Sequence, residues 1–334
     1  MDHSPIPLII LGGRDRRRSQ LPDSGNGQQP LEGYKAVDLC IGDRPLICHV
    51  IDRWQATGAF DPIFLAGPAQ RYRDFCPGIE LVDTDGDFGQ NIRAGLEAVI
   101  ARCGRRTTAV TTCDVLPAAV ELEALLEDFR ARSPLDFWMP QILVPSDPHG
   151  LGASEWKPRY RIAPRRGEEP RETLPGHLVI ADVDAVRLDM VYRMFELAYR
   201  TRNHPVAYRK RAIARTILFW LVLQDLRGMF QLQPPTLTFQ AVRHGTALAR
   251  DLASGTIDAD RLAELVHKLY IRRPHRRNYP QRRGFMPLLE GLSLAKDIDT
   301  EAEAREIAQE LAREMTQSPR TSSGEVGSPD EARS

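Results

Sequence analysis

The chain has 334 residues, 42% of them hydrophobic, and its 45 Lys and Arg are balanced by 45 Asp and Glu. That is enough apolar material for a full core, in one large α/β domain with an insertion or in two domains. A formal net charge of zero implies no general affinity for nucleic acid or an anionic membrane. Five cysteines (40, 48, 76, 103 and 113) form no CxxC pair and no metal-ligand spacing, which fits reduced thiols in a cytoplasmic protein. The N-terminus lacks a basic region ahead of a long apolar segment and so does not read as a signal peptide. The most apolar helical run, Thr216 to Leu223, stops well short of the roughly 20 apolar residues a bilayer requires.

In chain order, the first predicted strand is Leu8–Leu11, which breaks into Gly12-Gly13-Arg14 and three further arginines at 16, 17 and 18. An apolar strand that ends in glycines and arginines can deliver a loop to a polyphosphate. Glycine lets the backbone approach, and N–H groups, Arg and Lys supply donors and charge. Lys35 follows a Gly/Pro/Gln-rich loop and precedes an apolar stretch. Further strands are predicted at Ile63–Ala66, Thr108–Thr112, Phe137–Val144 and Leu178–Ala181, with helices near Pro45–Thr57, Gly89–Cys103 and Ala118–Arg132. The alternation predicts a mostly parallel, doubly wound sheet with its site at the carboxyl edge, where Asp114 closes the Thr108–Thr112 strand. A lone carboxylate there is placed as a metal ligand would be, and as a helix cap would be.

From 185 the pattern turns helical, at about 185–202, 206–228, 245–254 and 258–270. The expected organisation is a main domain of residues 1–184 plus 291–316, a mainly helical insertion or lid at 185–290, and a disordered Ser/Gly/Glu/Pro-rich tail at 317–334. The apolar faces of the insertion, with Phe219, Trp220 and Phe230, read as core rather than as a lipid site. The six arginines between Arg272 and Arg283 fit a solvated basic loop, a trap for an acceptor's phosphate, or a patch for an acidic partner, membrane surface or nucleic acid. The insertion is expected to wall the acceptor side of the site.

The order Leu11-Gly12-Gly13 with Arg17, then Lys35-Ala36, then Gly42-Asp43-Arg44-Pro45-Leu46-Ile47 before a helix resembles the MobA-like and sugar-phosphate nucleotidyltransferases of GT-A type fold. The resemblance covers 7–182 and 294–315, and nothing in 183–293 matches it. It implies a GT-A-like fold with a helical insertion, and transfer of NMP from an NTP to a phosphorylated sugar, polyol or cofactor precursor. It places Gly12, Gly13, Arg17 and Lys35 on the triphosphate, with Leu11 and Arg14 beside them and Arg17 and Lys35 as catalytic groups. Cys113-Asp114 resembles the family's strand-end aspartate that binds Mg²⁺. Asp297-Ile298-Asp299-Thr300 resembles its closing ligand motif, with Asp297 as the chosen second ligand and Asp299 as its rival. Thr300 and Glu303 form a predicted capping box. Asp85-Gly86-Asp87-Phe88-Gly89-Gln90-Asn91 resembles the loop beside the nucleobase, which makes Gly89 and Asn91 nucleotide-binding candidates, and His177 stands where the family's acceptor-facing Asn would.

Two departures mark this chain. Asp15 replaces a glycine of the family pattern, and the loop from Arg17 to Lys35 is long. Both leave room for weakened catalysis, and Asp15 with the proline missing from the family's closing motif after Thr300 marks the second function class, a nucleotide-binding regulatory protein that has lost the chemistry. A GT-A glycosyltransferase is the third, with Asp83-Thr84-Asp85 as its Asp-x-Asp, and it ranks last because no strongly apolar strand of the expected length leads into that motif. Expected partners are an NTP and a small phosphorylated acceptor, with no nucleic acid and membrane contact disfavoured. Base, acceptor and oligomeric state stay open.

Overall fold

The computed structural model describes residues 4–14, 31–147, 150–155, 157, 159–201, 206–230 and 237–317. Asp15, Arg17 and the tail beyond Gln317 lie outside the described residues. The first half runs β1 (Ile6–Leu11), α1 (Lys35–Asp38), a ribbon of β2 (Cys40–Ile41) and β3 (Arg44–Pro45), α2 (Leu46–Ala56), β4 (Phe60–Gly67), α3 (Ala69–Tyr72), β5 (Glu80–Asp83), α4 (Phe88–Cys103), β6 (Thr107–Thr112) and α5 (Ala119–Arg132). Then follow β7 (Phe137–Trp138), β8 (Gln141–Leu143), β9 (Tyr160–Ile162), β10 (Arg171–Pro175) and β11 (Leu178–Asp182). The insertion holds α6 (Leu188–Thr201), α7 (Val206–Phe230), α8 (Leu237–Ala253), α9 (Ala259–Tyr270) and α10 (Arg273–Asn278). The chain closes through β12 (Gly284–Phe285), β13 (Leu288–Leu289) and α11 (Glu301–Gln317).

Seven strands form the main sheet in the order β12-β7-β11-β6-β1-β4-β5, parallel except for β11. The winding reverses between β1 and β6, so their carboxyl ends part and leave a crevice where ligands of open α/β sheets bind. Alternation along β1 shows why the sheet is covered on both sides. Leu8 and Ile10 pack with Trp54, Leu122 and Ile307 on one face, while Ile9 and Leu11 pack with Ile92, Leu96 and Tyr192 on the other. Trp54 and Phe60 meet edge to face at 5.4 Å, a contact worth about 0.5–1.5 kcal/mol beyond the area buried.

The predicted strand Phe137–Val144 divides at Pro140. A proline has no N–H for the ladder, and the Pro140 carbonyl instead accepts from the Gly176 amide. β7 therefore stays in the main sheet, while β8 starts a second sheet, β13-β8-β10-β9. That small sheet has no counterpart in the sequence reading. Its polar strands β9 and β10 carry exposed Arg and Glu at several positions and show no apolar run.

Two expectations for the insertion are corrected. Phe219 and Phe230 are not core, since they are 65% and 91% exposed. One side of α7 is used for packing, with Leu221 and Asp225 buried, and its apolar residues continue round to the other side. The Arg272–Arg283 stretch is not a solvated loop. Part of it forms α10, and Arg282 pairs with Asp136 and Asp182 while Arg272 pairs with Asp184. Asp136 precedes β7 and Asp182 pairs with Thr107 at the start of β6, so these contacts lie at the amino edge of the sheet, opposite Asp114. That placement removes the stretch from the acceptor side. No helix of the described residues is long and apolar enough to cross a membrane.

Candidate active site

β1 and β6 pair in register from Leu8–Ala109 to Leu11–Thr112, so Gly12-Gly13-Arg14 and Cys113-Asp114 emerge side by side. The Gly12 amide donates to the Ala66 carbonyl, and the buried Tyr72 hydroxyl donates to the Gly12 carbonyl at 2.7 Å. These bonds hold the start of the loop flat against β4. A Cβ on Gly13 would come within 2.5 Å of the Asn91 side-chain amide, so glycine here is a steric requirement of the crevice. Asn91 is itself fixed, its carbonyl oxygen accepting from Thr84 Oγ1 and the Gly86 amide.

The far end of the chain reaches the same edge by a backbone bridge. Val115 pairs with Asp297, and the Ile298 amide donates to the Asp114 carbonyl. Two aspartates separated by one residue thereby flank Asp114. One carboxylate oxygen from each of Asp114, Asp297 and Asp299 lies within 4.8 Å of the others. Thr300 and Glu303 form the predicted capping box at the start of α11, which fixes the segment that carries both aspartates.

Two nearly buried lysines answer this charge. Lys35 Nζ is 2.5 Å from Asp299 and 3.9 Å from Asp114. Lys157 Nζ bonds the Asp297 carboxylate and lies 3.2 Å from Glu303. Burial opposes the charge on Lys157, but Asp297 and Glu303 outweigh it and raise its pKa. The carboxylates separate in the same way. Burial would raise Asp297, yet the neighbouring His177 and Lys157 hold it well below the carboxylate range. Asp299 is pushed up by burial and by the charges of Asp297 and Asp114, with Lys35 opposing. His177 completes the group, its Nε2 3.5 Å from Asp297.

The structure thus brings together Gly13, Asn91, Lys35, Asp114, Asp297, Asp299 and His177. A crevice of about 90 Å³ between the loop and Asp114 is lined by Leu11, Gly13, Lys35, Asn91, Asp114 and, from α6, Tyr199. Arg14 borders it and turns toward Asp85 at 3.6 Å and the Tyr34 ring. Gly89 does not line it. A Cβ there would meet the Glu196 backbone nitrogen at 2.8 Å, which marks Gly89 as the contact point between α4 and α6. Asp83 accepts from the Ala69 amide and Asp85 from the Tyr34 hydroxyl; neither is in the acidic trio. Sequence reasoning missed Lys157 and Tyr199. Lys157 sits in a polar, aperiodic stretch, and Tyr199 is one of two tyrosines in an amphipathic helix.

No family model matches the chain, and no curated protein sequence matches it. Among solved structures, the chain is similar to a hypothetical transferase from Thermus thermophilus, with TM-score 0.51 and 16% identity over 90% of this chain and 99% of that one. The fold is GT-A-like. Weaker likenesses include a CMP:2-keto-3-deoxy-manno-octonic acid synthetase complexed with CTP, with TM-score 0.48 and 12% identity over 93% of this chain and the whole of that one. A 4-diphosphocytidyl-2C-methyl-D-erythritol synthase from Anaerococcus prevotii gives TM-score 0.35 and 12% identity over 64% and 85%.

Proposed function

We propose that the protein is a nucleotidyltransferase that moves NMP from an NTP to a phosphorylated small-molecule acceptor and releases pyrophosphate. The observation that carries this is the meeting of a glycine loop, a buried lysine and Asp114 at one crevice of the sheet, with Asp297 and Asp299 clustered on Asp114. An all-oxygen trio suits a hard divalent cation, and Asp114 and Asp297, with Asp299 beside them, would hold Mg²⁺. When bound, the ion supplies positive charge to the α-phosphate and the acceptor oxygen.

The remaining work falls to the chain. An acceptor phosphate is already anionic near neutral pH, so its oxygen can attack the α-phosphorus without a general base. A bond forms from that oxygen to the α-phosphorus while the bond to the bridging oxygen of the β-phosphate breaks, and the electron pair leaves with pyrophosphate. The Gly12–Gly13 backbone and Lys35 would orient the triphosphate and offset its charge. Arg17 would join them by the family resemblance. His177, against Asp297, is suited to the acceptor's phosphate, while Lys157 holds Asp297 in place. Tyr199 makes α6 a wall of the nucleotide pocket, so the insertion serves the nucleotide side, not the acceptor side first expected.

Incubation with Mg²⁺, each NTP in turn and a pool of sugar and polyol phosphates should release pyrophosphate for one NTP, only when the acceptor carries phosphate. Tight NTP binding with no release for any pair would turn the assignment to a regulatory nucleotide binder.

A further inference from the structure

The outward side of α7 is divided along its length. Its first turns present Arg211 and Arg215, both exposed. Its second half presents Leu218, Phe219, Val222, Leu226 and Phe230, all exposed, and Phe239 of α8 extends the patch at 65% exposure. The apolar part spans roughly 18 Å of helix at 1.5 Å per residue. One side of α7 packs on α6 and α8, yet the apolar residues of its second half continue onto the exposed side, interrupted by Gln224, Asp225 and Arg227. A patch of this kind on a soluble domain marks a contact surface.

Charge decides among the occupants. The whole chain is neutral, yet residues 206–248 hold six Lys and Arg and a single carboxylate, Asp225. Asp225 is buried, accepts the Leu237 and Thr238 amides at the start of α8, and offers nothing to the outer surface. A second copy docking through the same surface would set Arg211 and Arg215 against their own equivalents with no exposed carboxylate on α7 to answer them. Aromatic and aliphatic side chains continuous with arginines instead match the boundary of an anionic bilayer, where rings sink to headgroup level and guanidinium groups meet phosphate. We infer that the α7–α8 surface docks the protein peripherally on anionic membranes, with α7 lying in the plane of the interface.

The full chain is mixed with vesicles of phosphatidylcholine alone and of equal parts phosphatidylcholine and phosphatidylglycerol, then sedimented. It should partition onto the mixed vesicles at least about tenfold more strongly, and salt should reverse this. Phe219→Glu with Phe230→Glu should reduce that partitioning by about tenfold or more, with an unchanged circular dichroism spectrum because both side chains are exposed. Arg211→Gln with Arg215→Gln should reduce it by about twentyfold while leaving the apolar patch intact. Equal binding to both vesicles, or undiminished binding by either double variant, overturns the proposal. So does a wild-type dimer by light scattering that both phenylalanine substitutions make monomeric, with no vesicle binding by either form; the surface would then belong to a second copy.

Discussion

Three carboxylates and two lysines clustered at the carboxyl edge of the sheet, with Asp114 and Lys35 lining the crevice, are a poor arrangement for stability and a useful one for holding phosphate and a cation. Asp114 is the member on the main sheet, set at the end of β6 by its register with β1. Asp114→Asn keeps the shape and removes one charge from a cluster that already drives Asp299 upward. Pyrophosphate release should therefore fall about 10²–10³-fold, while the unfolding free energy from urea titration holds or rises by up to about 1 kcal/mol. Unchanged turnover would show that Asp114 only caps the strand. Lys35 contributes in the opposite sense, because it answers Asp299 and Asp114 in the free protein. Lys35→Ala should cost about 10²–10³ in kcat/KM as well as stability, since it leaves half-buried carboxylates without their ammonium. A loss of stability alone, with kcat/KM retained, would confine Lys35 to a structural part.

At the scale of elements, α6 is tied to the site by a close approach at one glycine and by Phe195 packing on Phe88. The backbone of Glu196 lies so close to Gly89 that a single methyl group must displace a helix, and Tyr199 of the same helix lines the crevice one turn further on. Gly89→Ala should lower stability by about 1–3 kcal/mol and raise the dissociation constant for the NTP, which isothermal titration would measure directly. Gly245, inside α8 with nothing within 4 Å of its would-be Cβ, gives the contrast: Gly245→Ala should stabilise by about 0.5–1 kcal/mol with no effect on nucleotide. This contact also shows where the sequence stopped being legible. β1, β4, β6 and the helices α2 and α4 were readable because each carries its period in consecutive residues. The Asp114–Asp297 meeting was visible only through a resemblance, and the close approach of Gly89 to α6 was not visible at all. A glycine that follows a turn looks alike in sequence whether it faces a ligand or a helix a hundred residues away. Lys157 left no trace at all, since its partners, Asp297 and Glu303, are distant and its own neighbours are aperiodic.

The whole molecule is held at its other edge by a second charged cluster that the chemistry does not use. Asp136, fully buried, accepts from His267 of α9 at 2.7 Å and from His275 of α10 at 3.0 Å, and Arg282 lies 3.0 Å away while also reaching Asp182. One carboxylate thus gathers two helices of the insertion and the returning chain onto the amino edge of the main sheet. Burial by itself would raise its pKa, but the hydrogen bonds and charges of His267 and then His275 outweigh that and hold it below the ordinary value of 3.8. A depressed carboxyl pKa stabilises the fold above the unfolded value, and that contribution fades as pH falls toward the lower folded value. Asp136→Asn should accordingly cost about 3–5 kcal/mol in urea unfolding near neutral pH, by leaving Arg282 and both imidazoles without their anion. The gap between the two proteins should narrow as pH drops below about 4, because the native carboxylate then becomes protonated too. Pyrophosphate release per folded molecule should not change, since Asp136 lies at the opposite edge of the sheet from Asp114. A gap that stays constant with pH would mean the contacts act by packing and neutral hydrogen bonding. A specific loss of activity would mean that the amino edge and the crevice are coupled through the insertion.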